Sequence, residues 1–204
     1  MAQHPQVKSL SEAIRKPRLR SFHVGGLHSS SAALAFAAIA QRKATMPTLL
    51  FVLNDEEEAG YFYHDLVQML GDERVMLFPS SYRRAIKYNQ KDAGNEISRT
   101  EVLSRMTAES EPSLFIVSYP EAMAEKVLSK NELTENTIVI RQGETHDFKQ
   151  LEDQLESLGF LRVDYVYEPG QFAIRGSIVD IYSYSSEVPY RLDFFGDEVD
   201  SIRT

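Results

Sequence analysis

The sequence contains no cysteine among its 204 residues. The chain therefore forms neither disulfide bonds nor a thiolate metal site, and this composition fits a reducing compartment. Long apolar runs are also missing, because the longest, Ala32–Ala40, falls well short of the ~20 residues of a membrane-spanning helix. No basic segment followed by an apolar one indicates a signal peptide. We expect a globular cytoplasmic protein that does not contact a membrane.

Basic residues are scarce, with 22 Lys and Arg against 30 Asp and Glu, for a net charge of −8. Phosphate contacts are made by Lys and Arg, so this balance argues against a dedicated nucleic-acid-binding protein. The charge is unevenly distributed: residues 1–44 hold seven basic and one acidic residue, whereas residues 45–204 hold fifteen basic and twenty-nine acidic residues. An apolar content of 43% excludes wholesale disorder.

The first 119 residues alternate between apolar segments of strand type and helical segments. Continuous apolar strands joined by helices are typical of a parallel sheet that helices cover on both faces. We therefore predict an α/β domain over residues 1–119. Its strands are predicted at 21–24, 48–53, 75–78 and 114–118, and its helices at 29–42, 55–70 and 94–107, after a short basic helix that Pro17 ends.

The pattern changes after about residue 120, where strands with short connections predominate. Turn residues such as Pro169-Gly170, Gly176 and Gly196-Asp197 separate the segments, and connections this short join antiparallel strands. We predict a smaller α+β domain with antiparallel strands over residues 120–204. Its strands are predicted at 137–140, 163–167, 172–175, 178–182, 190–195 and 199–203, and its amphipathic helix at 147–158, ended by Gly159.

The glycine-rich segment after the first predicted strand occupies the place of a phosphate-binding loop but lacks its lysine. Such a loop follows the pattern G-x-x-x-x-G-K-[ST], in which the lysine contacts the β- and γ-phosphates. The lysine position holds Ser31 when counted from Gly25 and Ala32 when counted from Gly26. Without the lysine and the metal ligand we expect no ATP turnover. We interpret the segment as a degenerate phosphate loop with no catalytic residue and no bound cofactor.

The other residues that could support chemistry form no recognisable site. None of the five histidines lies two or four residues from another, so no metal site is expected. His28 precedes three serines, which we interpret as helix-capping residues because no third group of a catalytic arrangement is evident. One loop leaves open an alternative, a module that contacts DNA or nucleotide directly. Its basic and aromatic residues are Tyr82, Arg83, Arg84, Lys87, Tyr88 and Lys91.

Two adjacent segments near the end of the chain are its most specific feature. Arg175–Tyr182 reads R-G-S-I-V-D-I-Y, and Tyr190–Val199 reads Y-R-L-D-F-F-G-D-E-V. This pair resembles the N-terminal region of the bacterial transcription-repair coupling factors, in the module that they share with the excision-repair protein UvrB. The resemblance extends more weakly back to Phe22. UvrB itself has an intact phosphate loop and a tyrosine-rich hairpin that clamps DNA, so the degenerate loop and the short 79–93 connection favour the coupling factors.

The resemblance implies a non-catalytic adaptor that binds UvrA, the damage-recognition ATPase of nucleotide excision repair. Residues 1–119 would correspond to the UvrB-like domain 1a and residues 120–204 to domain 2, with Arg175, Arg191 and Phe195 in the family's UvrA-binding positions. In the family, a motor further along the chain uses ATP and Mg²⁺ to translocate on double-stranded DNA and release stalled RNA polymerase. We expect this chain to stop inside such a longer protein, before a segment that completes the first sheet.

The residues themselves agree with a binding role for these positions. Alternation along the strand predicted at 190–195 places Arg191 and Phe195 on the face opposite the apolar side chains, and Arg175 has the same orientation in its own strand. An exposed arginine beside an aromatic residue is typical of an interface hot spot. The alternative is that both arginines only form surface ion pairs with Asp180 and Asp193, which contribute ~0–1 kcal/mol each.

Overall fold

The computed structural model describes residues 3–16, 21–41, 46–82, 92–108 and 113–204. The chain divides into two compact units. Unit 1 comprises Met1–Ser80 and Arg105–Glu125, and unit 2 comprises Ser81–Ser104 and Lys126–Thr204. The domain ranges 1–119 and 120–204 stay a prediction, and the two units assign residues 81–104 differently. Across the described ranges no helix is long and apolar enough to cross a membrane.

Unit 1 contains a parallel sheet with helices before, between and after its strands, as predicted for an α/β domain. The strand order is β1-β3-β2, and β3 pairs with both neighbours in parallel. The strands are β1 (Leu49–Val52), β2 (Val75–Leu77) and β3 (Phe115–Ser118). The helices that lie in or lead into this unit are α1 (Pro5–Ile14), α2 (Ser31–Ala40), α3 (Glu56–Leu70), α4 (Ala93–Thr107) and α5 (Pro120–Met123).

Helix α3 shows how local sequence sets the elements of unit 1. Asp55 caps its N-terminus by accepting a hydrogen bond from the Glu58 backbone N–H at 2.9 Å, and Gly71 with φ of 82° follows its last turn. Its apolar side is buried, with Leu66 fully inaccessible. Phe62 on this helix contacts Phe51 of β1, with ring centroids 5.0 Å apart. The helix therefore packs on the sheet through apolar contacts, which are the main source of its stability.

Two predictions for this part of the chain are wrong. Residues 21–24 form no strand: Phe22 and Val24 are 47% and 40% exposed, and within the described residues the segment has no strand partner. A strand of four residues is stable only when it pairs with a neighbour, and this segment pairs with none of β1–β3. Strand β1 is also not covered on both faces by the described residues, because Leu50 and Val52 are about half exposed, whereas β3 is buried throughout.

Unit 2 contains a five-stranded sheet in the order β4-β5-β6-β7-β8. The predicted antiparallel arrangement is confirmed for β5 to β8, and the short β4 pairs with β5 in parallel. The strands are β4 (Leu161–Arg162), β5 (Gln171–Arg175), β6 (Ile178–Tyr182), β7 (Tyr190–Phe195) and β8 (Glu198–Arg203). The helices that lie wholly in this unit are α6 (Lys130–Glu135) and α7 (Phe148–Ser157), and residues 93–104 of α4 also belong to it.

The core of unit 2 lies between α7 and one face of this sheet. Leu151 and Leu155 of α7 are buried against side chains from β5 to β8. The strand residues of this cluster are Phe172, Val179, Ile181, Leu192, Phe194 and Val199. Burying an aliphatic or aromatic side chain of this size contributes roughly 1.5–3 kcal/mol each. The helix thus fixes which face of the sheet is internal and leaves the other face outside.

Two strands predicted in unit 2 are absent from their predicted places. Residues 137–140 form no strand, and Ile138 and Ile140 instead pack irregularly against the core. The edge of β8 is occupied by the following residues, since the Gly143 N–H donates to the Val199 carbonyl at 2.8 Å. Residues 163–167 form a loop, and residues 161–162 pair with β5 in their place.

Candidate functional site

The outer face of the unit 2 sheet, opposite α7, carries a set of charged side chains that we call the arginine face. Asp180 lies directly opposite Arg191 in the β6–β7 register, and Arg191 lies opposite Arg203 in the β7–β8 register. Side chains alternate along a strand, so residues that flank buried core positions point outward together. The arginine face consists of Arg175, Asp180, Arg191, Asp193 and Arg203.

Asp180 is the centre of the arginine face, and only 7% of its side chain is exposed. Its Oδ1 accepts from Arg191 Nε at 2.7 Å and its Oδ2 accepts from Arg191 Nη2 at 2.9 Å. Arg175 Nη2 also donates to Oδ2. A buried carboxylate requires such pairing, and the two-pronged guanidinium geometry is among the strongest available. The hydrogen bonds to Asp180 raise the pKa of Arg191 above its usual value.

Arg175 is held on three sides. Besides Asp180, its Nη1 donates to the Asp164 backbone carbonyl at 3.3 Å. Its guanidinium carbon lies 4.5 Å from the centroid of the Tyr165 ring, a cation–π contact. A third of its side chain remains exposed. The guanidinium is therefore fixed in position and still accessible to a binding partner.

The alternative of surface ion pairs would pair Arg191 with Asp193. In the structure Asp193 pairs with Arg203 instead. Its Oδ2 accepts from Ser201 Oγ at 3.0 Å and from Arg203 Nη2. These hydrogen bonds lower the pKa of Asp193, with Arg203 as the larger cause and Ser201 as the next. Both predicted arginines instead share Asp180, so they form one network and not two separate pairs.

Phe195 ends β7 and is the most exposed large apolar side chain in the described part of the chain, at 85%. Its neighbour Phe194 is 6% exposed and belongs to the core, in agreement with the predicted alternation. A bulge between Asp193 and Phe194 shifts the pairing at this end of β7. The structure thus presents an aromatic ring to solvent on the strand that carries Arg191.

A groove of about 450 Å³ runs beside the arginine face. One wall is the loop that contains Tyr165 and Tyr167, and the other includes Arg175, Arg191 and Arg203. The sequence-based selection of site residues missed both tyrosines and Arg203. Alternation does not find Arg203, because it places Arg203 on the same face as the core residue Val199, and only the register shift in the β7–β8 pairing brings Arg203 opposite Arg191. No sequence signal indicates the tyrosines, because a loop brings them to the groove.

The segment interpreted as a degenerate phosphate loop leads into α2. Ser30 at the helix N-terminus makes no side-chain capping hydrogen bond, so its predicted capping role is wrong. The Ser31 hydroxyl bonds instead to the His28 backbone at 2.6 Å. The described residues include no cluster of three His, Asp or Glu that could hold a metal ion. Of the basic loop, Arg83, Arg84, Lys87, Tyr88 and Lys91 lie outside the described residues.

Comparison with known proteins agrees with the resemblance noted in the sequence. Residues 138–204 match the family described as the UvrB interaction domain. The chain is 29% identical to the transcription-repair-coupling factor of Bacillus subtilis (strain 168) over 97% of its own length and 16% of that protein's length. For the factors of Escherichia coli (strain K12) and Haemophilus influenzae, identities are 30% and 28%, over 88% and 89% of this chain and 15% of each relative. The chain thus spans about one sixth of these relatives, and the resemblance is confirmed.

Proposed function

We propose that the chain is the non-catalytic adaptor part of a transcription-repair coupling factor. The proposal is supported by similarity to these factors over nearly all of the chain and by the match of residues 138–204 to the UvrB interaction domain. In this proposal the adaptor recruits UvrA to RNA polymerase stalled at DNA damage in the cytoplasm. The longer protein would translocate on double-stranded DNA and release the polymerase, with ATP and Mg²⁺ bound by a motor outside these residues.

The observation that carries the proposal is the pair of arginines held by one buried carboxylate. Arg175 and Arg191 both bond to Asp180 and both remain partly exposed on the outer face of the domain that matches the family. Side chains already fixed in one conformation lose little entropy when a partner binds. Phe195 adds an exposed ring on the same strand. Arginine and aromatic side chains in this arrangement are typical of interface hot spots.

The test is the affinity of the full chain for purified UvrA. Arg191→Ala and Phe195→Ala should each weaken binding by about 2 kcal/mol, roughly 30-fold in Kd, if they are hot spots. Arg141→Ala is the matched control for the arginine, because Arg141 is an exposed arginine of unit 2 that pairs with Glu144 and does not line the groove beside the arginine face. Leu161→Ala, which removes a side chain that is 62% exposed, is the control for Phe195. Unchanged affinity in a folded Arg175→Ala/Arg191→Ala double variant would contradict the proposal that these arginines bind UvrA.

Two further measurements on the same protein distinguish the adaptor role from the alternatives of nucleotide binding and DNA binding. The absent lysine at positions 31 and 32 leads us to expect no heat of binding in a titration with Mg-ATP. Micromolar affinity in that titration would point to a working nucleotide site. DNA affinity with a salt slope of about −0.9 per contacted phosphate would favour the DNA-contacting module.

A further inference from the structure

The loop beside the arginine face is anchored at both of its ends. The Val163 N–H donates to the Phe172 carbonyl at 2.9 Å, and the Tyr167 N–H donates to Gln171 Oε1 at 2.8 Å. Gly170, with φ of +84°, closes the segment in a conformation that other residues rarely adopt. Yet this fixed loop leaves its two tyrosine rings 59% and 78% exposed, at Tyr165 and Tyr167 respectively. Aromatic rings on a fixed loop offer contact area at little entropic cost.

The groove next to these rings is locally cationic within an acidic unit. Residues 143–204 contain thirteen acidic and five basic residues, and three of the five basic ones are the arginines of the arginine face. The other two, Lys149 and Arg162, pair with Asp153 and Glu152, and neither lines the groove. The three groove arginines share two carboxylates, Asp180 and Asp193. Positive charge and guanidinium donors therefore exceed what the chain itself satisfies there.

We propose that this groove receives a carboxylate-bearing segment of the protein partner, and that Tyr165 and Tyr167 contact that segment directly. The inference rests on the proposed function, in which the partner is UvrA. Guanidinium groups bind carboxylates in two-pronged geometry, and tyrosines flanking them shield the new ion pairs from water. A protein segment is favoured over nucleic acid because the cationic groove lies in a part of the chain, residues 143–204, that holds thirteen acidic and five basic residues. A short carboxylate-bearing segment can stay within the groove, whereas a continuous phosphate backbone would extend beyond it and be repelled by the acidic residues.

The test compares tyrosine variants of the full chain in binding to purified UvrA. Tyr165→Ala and Tyr167→Ala should each raise Kd about fivefold or more, as expected for interface residues with a sizeable contribution. Tyr165→Phe keeps the ring over Arg175 and should bind within about twofold of the original protein. Tyr61→Ala is the control, because Tyr61 is 68% exposed on α3 in unit 1. Circular dichroism of each variant establishes that it is folded.

The chemistry of the partner segment is tested by salt. Between roughly 0.05 and 0.3 M NaCl, Kd of the original protein should rise, and it should rise less for Arg203→Ala, because screening weakens exposed charge pairs. If Arg191→Ala weakens binding and both tyrosine variants bind normally, the inference fails while the proposed function stands. If Arg191→Ala and Phe195→Ala also bind normally, UvrA binds at a surface other than the arginine face, and if the original protein does not bind UvrA at all, the proposed function fails. If Kd did not change with salt, the assignment of carboxylates to the partner segment would be wrong. If the original protein bound duplex DNA and Tyr165→Ala did not, the partner of the groove would be nucleic acid and not a protein segment.

Discussion

Asp180 is the residue on which the arrangement of the arginine face depends. With 7% of its side chain exposed, it contributes little surface of its own to a partner. Removing water from a carboxylate costs several kcal/mol, and here the cost is offset by donors from two arginines. The same bonds restrict both guanidinium groups to one orientation. We therefore infer that Asp180 acts on binding through Arg175 and Arg191, as a positioning residue.

The substitution Asp180→Asn separates positioning from general stability. It removes the charge, keeps the shape and replaces one of the two acceptor oxygens with an NH2 donor, so the two arginines are no longer neutralised and compete for one acceptor. We expect Kd for UvrA to rise about tenfold, and the unfolding free energy to fall by about 1–3 kcal/mol. NMR should show faster exchange of the Arg191 Nε–H with water. Val179→Ala, which truncates the adjacent buried core residue, should lower stability and leave both the affinity and this exchange unchanged. Equal effects of the two variants on affinity would contradict a positioning role.

At the scale of elements, the sequence predicts those whose signals are local. The bounds of β6 and β7 agree with the predicted strands because turn glycines follow or precede them, with φ of 62° at Gly176 and 63° at Gly196. The strand predicted at 137–140 does not form. Its apolar residues alternate because Ile138 and Ile140 pack against the core, and not because the segment pairs with another strand. The roles of Tyr165 and Asp180 depend on loop path and strand register, which a single sequence does not encode locally.

Helix α7 covers the inner face of the sheet, and its N-terminal cap can be tested separately from its packing. Asp147 accepts a hydrogen bond from the Gln150 N–H at 2.8 Å. Asp147→Ala should therefore destabilise unit 2 by ~1 kcal/mol, measured as a lower denaturant midpoint with an unchanged slope. In the same helix, Asp153→Ala removes only an exposed pair with Lys149, worth about 0.3–0.5 kcal/mol. A larger effect at Asp153 than at Asp147 would contradict the capping assignment.

At the scale of the whole molecule, the proposed binding residues all belong to one unit with its own core. The cluster that includes Leu151, Phe172 and Val199 contains only residues of unit 2, and the family match at 138–204 lies within that unit. Similarity to the coupling factors nevertheless extends over 97% of the chain, unit 1 included. The surface proposed to bind UvrA is therefore supported by contacts within unit 2.

This separation predicts that unit 1 can be destabilised without loss of binding. Leu66 is fully buried in unit 1, so Leu66→Ala should remove about 2–5 kcal/mol from its stability through lost apolar contacts and the cavity left behind. Thermal unfolding should then show an earlier first transition, and UvrA affinity measured below that transition should equal that of the original protein. Leu192→Ala, a buried position on β7, is the matched substitution in unit 2 and should lower the transition that abolishes binding. If Leu66→Ala weakened UvrA binding while unit 2 stayed folded, the partner surface would have to include unit 1 as well.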